Sequence, residues 1–288
     1  MTEISASLVM KLRKVSGQGM MDCKKALQEA DCDMDKAMEI LRKKGLATLS
    51  KRGDRETSEG IVVSRTSEDG RVAAMATLCC ETDFVANSED FVATSETLAY
   101  YALACAENDG PENILKTAID SKKFKNCLTE IVSKTGEKIQ VGDFAKYQLD
   151  GAGLISTYIH FNKKVGAMVQ IETSDETTAS AEQMKQTASD VAMHITATNP
   201  LALDKEGIDP KIIERERAIF AEQFKNKPAN IVDKIVEGKM KKFYAENCLL
   251  DQQFIKDDSK TVAELVSQTG KQSGDEAKVV RFVRFGVG

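Results

Sequence analysis

The scarcity of histidine limits the chemistry that is available to this chain. Only His160 and His194 occur among the 288 residues. A histidine-rich zinc site is therefore excluded, and Ser/His or Cys/His catalysis would have to use one of these two residues. The seven cysteines form no CxxC pair, and Cys79 and Cys80 are adjacent, a spacing that disfavours an ordinary disulfide between them. We expect reduced thiols.

The adjacent cysteines still define one enzymatic hypothesis, a thiol enzyme built around Cys79 and Cys80 beside Glu81 and Asp83. Neighbouring carboxylates raise the pKa of a thiol and suppress the nucleophilic thiolate, and no histidine is near in sequence. The sequence also lacks GxxxxGK[ST], GxGxxG and HExxH, the signatures of phosphate, dinucleotide and zinc-protease sites. These patterns favour a protein that binds a partner and needs no cofactor of its own.

The segment 81–87, ETDFVAN, is the other candidate, because it lies between a predicted strand and a predicted helix. An aromatic residue beside an aspartate at such a turn is either a core anchor next to a helix cap or an exposed contact for a partner. The residue types alone favour the core anchor. Sequence context beyond the loop is needed to favour the second interpretation.

Length and composition restrict the partners. A chain of 288 residues corresponds to about two domains. The net charge of −5 provides no basic field for a polyanion, so nucleic acid is not an expected partner. No apolar run reaches the ~18 residues of a membrane span, and the first 25 residues do not resemble a secretion signal. We expect a cytoplasmic protein that does not contact membranes.

The elements that must position these residues begin with three short amphipathic segments. Their apolar faces carry Leu8, Leu12 and Val15, then Cys23, Ala26, Leu27 and Ala30, then Met34, Ala37, Met38 and Leu41. Basic residues 42–44 followed by Gly45 are typical of a helix end. The pattern predicts a three-helix module, and the polar stretch 46–59 predicts a linker that lets the module move. We place the module with its linker at residues 1–52.

The rest of the chain shows the same order of predicted elements twice: a β-hairpin, two helices and a strand. The first copy has strands at 61–63, 72–79 and 139–149 and helices at 88–107 and 124–134. The second has strands at 154–160, 165–172 and 279–285 and helices at 180–197 and 261–267. We therefore predict an α+β fold with two similar core subdomains, residues 53–150 and 151–288.

Residues 209–243 interrupt the second copy. Asp209 followed by Pro210 is typical of a helix start, and Lys227 and Pro228 are typical of a turn. Two apolar seams are present: Ile212, Ile213, Ile219, Phe220 and Phe224, and then Val232, Val236, Met240 and Phe243. We predict an inserted antiparallel helical hairpin that serves for interaction or for structural support. Whether two copies of the chain form a homodimer through it stays open.

Three motifs, in order, resemble a known family. They are MMDCKKAL at residues 20–27, ETDFVA at 81–86 and EGKMKKF at 237–243. Over essentially its whole length the chain is similar to the bacterial elongation factor Ts family. The resemblance implies a ubiquitin-associated-like N-terminal module and a guanine-nucleotide exchange factor in translation elongation. Its partner would be GDP-bound elongation factor Tu, and it would use no covalent chemistry.

The resemblance also implies roles for individual residues. In that family the TDFV loop approaches the partner's nucleotide site and dislodges Mg²⁺. This role falls here on Thr82, Asp83, Phe84 and Val85. Contacts with the partner's GTPase domain are implied for Arg13, Met20, Met21 and Lys24. Gly136 matches a further contact point, and His160 matches a position that contacts the partner's distal domain.

Structural alternatives accompany several of these roles. Met20 and Met21 could pack at a helix start. His160 could be a solvent-facing hairpin residue. His194 lies among apolar neighbours in a predicted helix, so we expect a hydrogen-bonded core histidine without a functional role. An adaptor protein built on the N-terminal module is a further alternative, but it accounts for only the first fifth of the chain.

Overall fold

The computed structural model describes residues 4–226 and 228–288, apart from the side chains of residues 46, 48–51, 229 and 230. As predicted, helices and antiparallel sheets are combined. The chain begins with helices α1 (Ala6–Ser16), α2 (Met20–Glu29) and α3 (Met34–Lys51). Val15 was predicted to face inward but is 65% exposed. Ser16 faces α2 instead, and its Oγ lies 3.5 Å from Sγ of the buried Cys23.

The prediction that the third helix ends at Gly45 is wrong, because α3 continues to Lys51. Gly45 lies where α3 contacts α7 (Phe124–Thr135). A Cβ at this position would be 2.8 Å from Cβ of Ser133 and 2.8 Å from the carbonyl oxygen of Thr129. The glycine therefore permits close packing of two helices and does not terminate one.

The predicted mobile linker is also attached to the core. Arg52, directly after α3, donates two hydrogen bonds to the carboxylate of Glu81, at 2.9 and 3.0 Å. The Lys138 ammonium donates to the carbonyl oxygens of Gly53 and Arg55 at 2.7 and 2.8 Å. The charged residues of this segment indicate a linker by composition, but here they bind groups of the folded core.

The first sheet has the strand order β1–β2–β5 and is antiparallel throughout. Its strands are β1 (Glu59–Thr66), β2 (Val72–Cys80) and β5 (Ile139–Gln148). Between β2 and β5 the chain forms α4 (Asp83–Ala86), α5 (Glu89–Ala104), α6 (Pro111–Lys116), β3 (Ala118–Ile119), β4 (Lys122–Lys123) and then α7. Phe91 of α5 and Phe124 of α7 are fully buried against the sheet. The predicted helices and strands of this half are confirmed.

The second sheet has the order β10–β7–β6 and is also antiparallel. Its strands are β6 (Gly153–Ile159), β7 (Val165–Thr173) and β10 (Ala277–Gly286). It is accompanied by α8 (Glu176–Ser180), α9 (Glu182–Thr198), a 3₁₀ turn (Lys205–Gly207), a second 3₁₀ turn (Leu249–Asp251), β8 (Gln253–Phe254), β9 (Asp257–Thr261) and α12 (Val262–Gln272). The strands and the two core helices again follow the predicted order.

Both sheets are built by the same rule, since the second strand of a hairpin pairs with a third strand that follows the helices. The first strand of each hairpin, β1 or β6, also contains a glycine that lies close to a backbone carbonyl oxygen of the neighbouring strand. A Cβ on Gly60 would lie 2.2 Å from the carbonyl oxygen of Leu78, and one on Gly153 would lie 2.4 Å from that of Ile171. An apolar layer joins the two sheets and includes Val62, Met75, Tyr147, Ile155 and Met168. The halves are thus packed on each other.

Helices α10 (Pro210–Gln223) and α11 (Ala229–Asn247) occupy the region predicted as a helical hairpin. Asp209 caps α10, and its carboxylate accepts a hydrogen bond from the backbone N–H of Lys211 at 2.9 Å. Val236 and Met240 of α11 are buried, whereas Ile219 of α10 and Ile231 near the start of α11 are exposed. No helix in the described part of the chain is both long and apolar enough to cross a membrane.

Candidate functional site

The loop between β2 and α5 is a single helical turn that is held by two consecutive caps. Thr82 is the N-cap of α4, and its hydroxyl accepts a hydrogen bond from the backbone N–H of Val85 at 3.3 Å. Ser88 caps α5 in the same way and donates its hydroxyl proton to the carbonyl oxygen of Val85 at 2.8 Å. Side-chain caps of this kind contribute about 1 kcal/mol each. The turn is therefore well fixed without burying its outer face.

Phe84 lies on this outer face and is 84% exposed. The adjacent Val85 packs against the core and Ala86 is buried, so these two residues anchor the turn. The interpretation of Phe84 as a core anchor is wrong for this reason. Full burial of such a side chain is worth ~1.5–3 kcal/mol. Within the free protein that free energy is not gained, and a complex could gain it.

Two carboxylates hold the base of the loop. The Glu137 carboxylate accepts hydrogen bonds from the Thr82 hydroxyl at 2.7 Å and from the Thr82 backbone N–H at 3.1 Å. The Glu81 carboxylate accepts the backbone N–H of Lys138 at 2.6 Å. Glu81 thus binds the residue that follows Glu137, and Glu137 binds the residue that follows Glu81. Both pairs lie beside the point where Cys80 of β2 pairs with Ile139 of β5. We call this arrangement, Glu81 with Lys138 and Glu137 with Thr82, the carboxylate clamp.

Sequence reasoning did not identify this clamp. Glu137 and Thr82 are 55 positions apart, and an isolated carboxylate beside a glycine is an ordinary surface feature. The sole sequence signal is that each glutamate lies close to the end of a predicted strand. The antiparallel pairing of β2 and β5 brings those ends together, but no local pattern shows which strands pair.

Glu81 is strongly enclosed, with a side chain that is 11% exposed. Burial by itself would raise the pKa of Glu81, but the hydrogen bonds from the Lys138 N–H and the Arg52 guanidinium outweigh it and lower that pKa below its ordinary value. Arg55 adds a further ion pair at 3.6 Å. Glu81 is therefore charged at neutral pH and ties the segment after α3 to the loop.

The neighbouring thiols are not prepared for nucleophilic chemistry. Burial raises the pKa of Cys80 to about 12, and the nearby Glu137 charge adds to the effect. Burial likewise raises the pKa of Cys79. The Cys80 thiol donates to the Thr82 carbonyl oxygen at 3.2 Å. A protonated thiol is a poor nucleophile, so the geometry argues against the thiol-enzyme hypothesis.

The candidate contact residues of the N-terminal module are all at the surface. Arg13 of α1 and Met20, Met21 and Lys24 of α2 are exposed, which argues against simple packing for the two methionines. The turn between α1 and α2 lies against the end of α7, because a Cβ on Gly17 would be 2.5 Å from Cε of Lys134. The module is thus placed near Gly136, although its four candidate residues are not part of the loop 82–85.

Gly136 ends α7 in the left-handed conformation, with a φ of 72°. Open space surrounds the position where a Cβ would be, so a partner could approach its backbone closely. His160 follows β6 and is half-buried, and its Nδ1 lies 3.4 Å from the Tyr158 hydroxyl. The turn after His160 is bonded to β1, since the Val62 N–H donates to the Lys163 carbonyl oxygen at 2.8 Å. The loop 82–85, Gly136 and the turn after His160 therefore belong to one connected region.

His194 is fully buried, as the apolar pattern around it predicts. Its Nε2 is 2.8 Å from Oε1 of Gln252, and the Ile255 N–H donates to its Nδ1 at 3.3 Å. This donor requires an unprotonated Nδ1, and burial lowers the pKa of His194. The residue is a neutral core histidine. Among the residues that the structure describes, no group of three His, Cys, Asp or Glu side chains could hold a metal ion.

Comparison with known proteins gives consistent relationships over the whole chain. The sequence model of one family, described as Elongation factor TS, matches residues 81–288. Elongation factor Ts of a Nitratiruptor species is 42% identical over 287 residues, which cover 99% of this chain and 93% of that protein. Elongation factor Ts of Nitratidesulfovibrio vulgaris is 42% identical over 99% of this chain and 96% of its own length. Elongation factor Ts of Clostridium botulinum is 40% identical over 98% and 92%. The chain therefore belongs to the elongation factor Ts family.

Proposed function

We propose that this protein, as a member of the elongation factor Ts family of guanine-nucleotide exchange factors, releases GDP from elongation factor Tu by dislodging Mg²⁺. Thr82, Asp83, Phe84 and Val85 would perform this step without covalent chemistry. The observation that carries the proposal is Phe84, which is 84% exposed on a turn fixed by caps on both sides and by Glu137. Such a turn can deliver an apolar side chain to a partner without first having to become ordered.

The energetics follow from differential binding. In a nucleotide site Mg²⁺ neutralises phosphate charge that would otherwise repel its surroundings, so its loss weakens the bound GDP. A side chain that is buried only when the partner has opened this site stabilises the open state over the closed one. The burial of Phe84 is worth ~1.5–3 kcal/mol, which corresponds to a shift of about 10- to 100-fold. Asp83 is exposed beside it and would repel phosphate or fix the loop.

The remaining contacts are assigned to the connected region and the module around it. Arg13, Met20, Met21 and Lys24 would bind the GTPase domain of elongation factor Tu, and their exposure supports this assignment. Gly136 would allow close approach of the partner backbone. His160 would contact the distal domain, with the Tyr158 hydroxyl 3.4 Å from its ring.

The same proposal includes the organisation of the chain. A module at residues 1–52 would hold the GTPase domain, the subdomain 53–150 would carry the loop, and the subdomain 151–288 would carry His160. The helical hairpin within 209–243 carries two exposed isoleucines, Ile219 and Ile231, which supports a contact role, with a second copy of the chain as one occupant. The protein would act on the GDP-bound form of elongation factor Tu. It would do so in the cytoplasm, and it would not bind nucleic acid directly.

The decisive experiment measures release of fluorescent GDP from elongation factor Tu at increasing concentrations of this protein. The wild-type protein should accelerate release, and Phe84→Ala should lower the maximal rate by about 10- to 100-fold. Because Phe84 is exposed in the free protein, its truncation should change the free energy of unfolding by no more than about 0.5 kcal/mol.

Leu201→Ala is the matched control, because Leu201 is an apolar residue that is 52% exposed in the segment after α9. It should leave both the exchange rate and the urea midpoint unchanged. No acceleration by the wild-type protein would refute the exchange function itself. Acceleration by Phe84→Ala at the wild-type rate would refute only the role of the loop.

A further inference from the structure

The turn that joins β6 to β7 carries a second exposed aromatic residue. Phe161 is 87% exposed, and together with Phe84 it is the most exposed large apolar side chain in the described part of the chain. The turn is well defined, since the His160 N–H donates to the Val165 carbonyl oxygen at 2.9 Å and the Lys163 N–H donates to that of His160 at 2.8 Å. Lys163 takes a left-handed conformation with a φ of 57°. Phe161 is thus held in solvent by an ordered turn.

The position of this turn relative to the first half is fixed by two bonds. The Lys163 carbonyl oxygen accepts the Val62 N–H of β1 at 2.8 Å, and the Lys164 ammonium binds the Glu59 carboxylate at 2.7 Å. The Phe161 ring also lies against the His160 ring, with centroids 4.4 Å apart. These bonds fix the backbone of the turn, and the His160 ring supports one side of the Phe161 ring. An apolar ring therefore stands in solvent beside β1, on a backbone of fixed position.

That place is across a cleft from the loop 82–85. The cleft has a volume of about 510 Å³. Asp83, Ala86 and Asn87 line one side, and the turn from Phe161 to Lys164 lines the other. The hydrogen bond to Glu59 raises the pKa of Lys164, and the Asp83 charge acts in the same direction, so Lys164 remains charged on its side of the cleft. Phe161 therefore lines a cleft whose other side is formed by Asp83, the residue directly before Phe84, so the two segments that carry the exposed aromatic residues flank one cleft, one from each half of the core.

We propose that Phe161 is a second apolar contact with elongation factor Tu, bound in the same encounter as Phe84. This inference rests on the proposed function. The turn is bonded to β1 and the loop directly follows β2, so the segments that carry Phe161 and Phe84 flank one cleft, and a partner that covers this cleft would meet both segments. Unlike Phe84, Phe161 lies away from the two-cap turn and contributes to holding the complex, whereas Phe84 contributes to opening the nucleotide site.

The test measures GDP release from elongation factor Tu against the concentration of full-length variants. Phe161→Ala should raise the half-saturating concentration by about 10- to 100-fold, the value expected when a phenyl group loses its burial, and should leave the maximal rate within about twofold of wild type. Phe161→Tyr keeps the ring and should behave as wild type. Ile255→Ala, which shortens an apolar residue exposed in the turn between β8 and β9, is the matched control and should change neither value.

The outcomes separate this inference from the proposed function. If the wild-type protein accelerates GDP release and Phe161→Ala has the same half-saturating concentration as the wild type, the inference is wrong. The exchange function would then be unaffected. No acceleration by any variant would instead refute the exchange function. If Phe161→Ala abolished self-association in sedimentation while exchange stayed normal, the occupant would be a second copy and the inference would be wrong. Should Phe161→Ala alter the circular dichroism spectrum, Phe161→Gln replaces it under the same criteria.

Discussion

Removal of the Glu137 carboxylate should loosen the loop 82–85 without unfolding the core. In Glu137→Ala the Thr82 hydroxyl and backbone N–H each lose an ionised acceptor, at 2.7 and 3.1 Å respectively. Hydrogen bonds to charged groups are worth ~1.5–3 kcal/mol. Thr82 and Glu137 are half-buried, so water replaces part of each bond. We expect a total loss of about 2 kcal/mol in the local stability of the loop.

This loss sets a limit on the functional effect. If only the ordered loop binds elongation factor Tu, the apparent affinity decreases with the fraction of ordered loop, and about 2 kcal/mol corresponds to a decrease of at most about 30-fold. The second-order constant for GDP release should therefore decrease by up to ~30-fold. The maximal rate at saturation should be retained, because Phe84 is still present. Glu137→Gln keeps one carbonyl acceptor and should be intermediate.

Two measurements check this reasoning together. Stopped-flow release of fluorescent GDP gives the second-order constant, and native-state hydrogen exchange reports protection of the Thr82 and Val85 amides. Glu130→Ala is the control, because Glu130 is a carboxylate of the preceding helix α7 that makes surface ion pairs with Lys122 and Arg42. Unchanged amide protection in Glu137→Ala, together with a wild-type exchange constant, would show that the clamp does not order the loop.

Two further predictions concern the fold. Gly45→Ala should destabilise the packing of α3 on α7 by ~1–3 kcal/mol, because the new Cβ would lie 2.8 Å from atoms of Ser133 and Thr129. Gly238→Ala, which adds a Cβ in open space on helix α11, should instead stabilise the protein by up to ~1 kcal/mol. Equal effects of the two substitutions in thermal unfolding would contradict this prediction. Burial lowers the pKa of His194 below the ordinary histidine value of 6.5. As the pH falls below 6.5, the unfolded state therefore binds a proton that the native state does not bind. The free energy of unfolding should then decrease by at most about 1.4 kcal/mol per pH unit. Urea unfolding at several pH values between about 7 and 5 measures this effect. The free energy of unfolding should depend less on pH in His194→Asn than in the wild type, and an equal dependence would mean that His194 titrates normally.

The fold was predictable where one element carries its own pattern. The apolar face of α2 and the apolar runs on both sides of the hairpin turns indicated the correct element types. Gly45 shows where such reasoning stops, because glycine can end a helix or allow another helix to approach. The difference lies in α7, which is distant in the chain. The ribbons β3–β4 and β8–β9 have two to five residues per strand, which is too short for a periodic signal.

The candidate site was predictable only in part. The resemblance pointed to residues 82–85, but residue types alone favoured burial of Phe84, and its exposure follows from Val85 and Ala86 taking the anchoring positions. No motif or spacing assigned a role to Glu137 or Phe161. The roles proposed for them depend on strand pairing and on the packing of one half against the other. Both are tertiary properties that no local pattern contains.

The repeated architecture separates what the fold requires from what the proposed function requires. In the second half, α8 occupies the place of α4, and Asp175 caps it by accepting the Thr178 N–H at 2.6 Å. Counted from the caps, Phe84 corresponds to Thr177, and both are exposed, whereas the next residue in each turn is more enclosed. The fold therefore builds the same capped turn twice and accepts a threonine at the outer position in one of them. Folding gives no reason for an aromatic ring there, so its exposed apolar surface is best explained by binding.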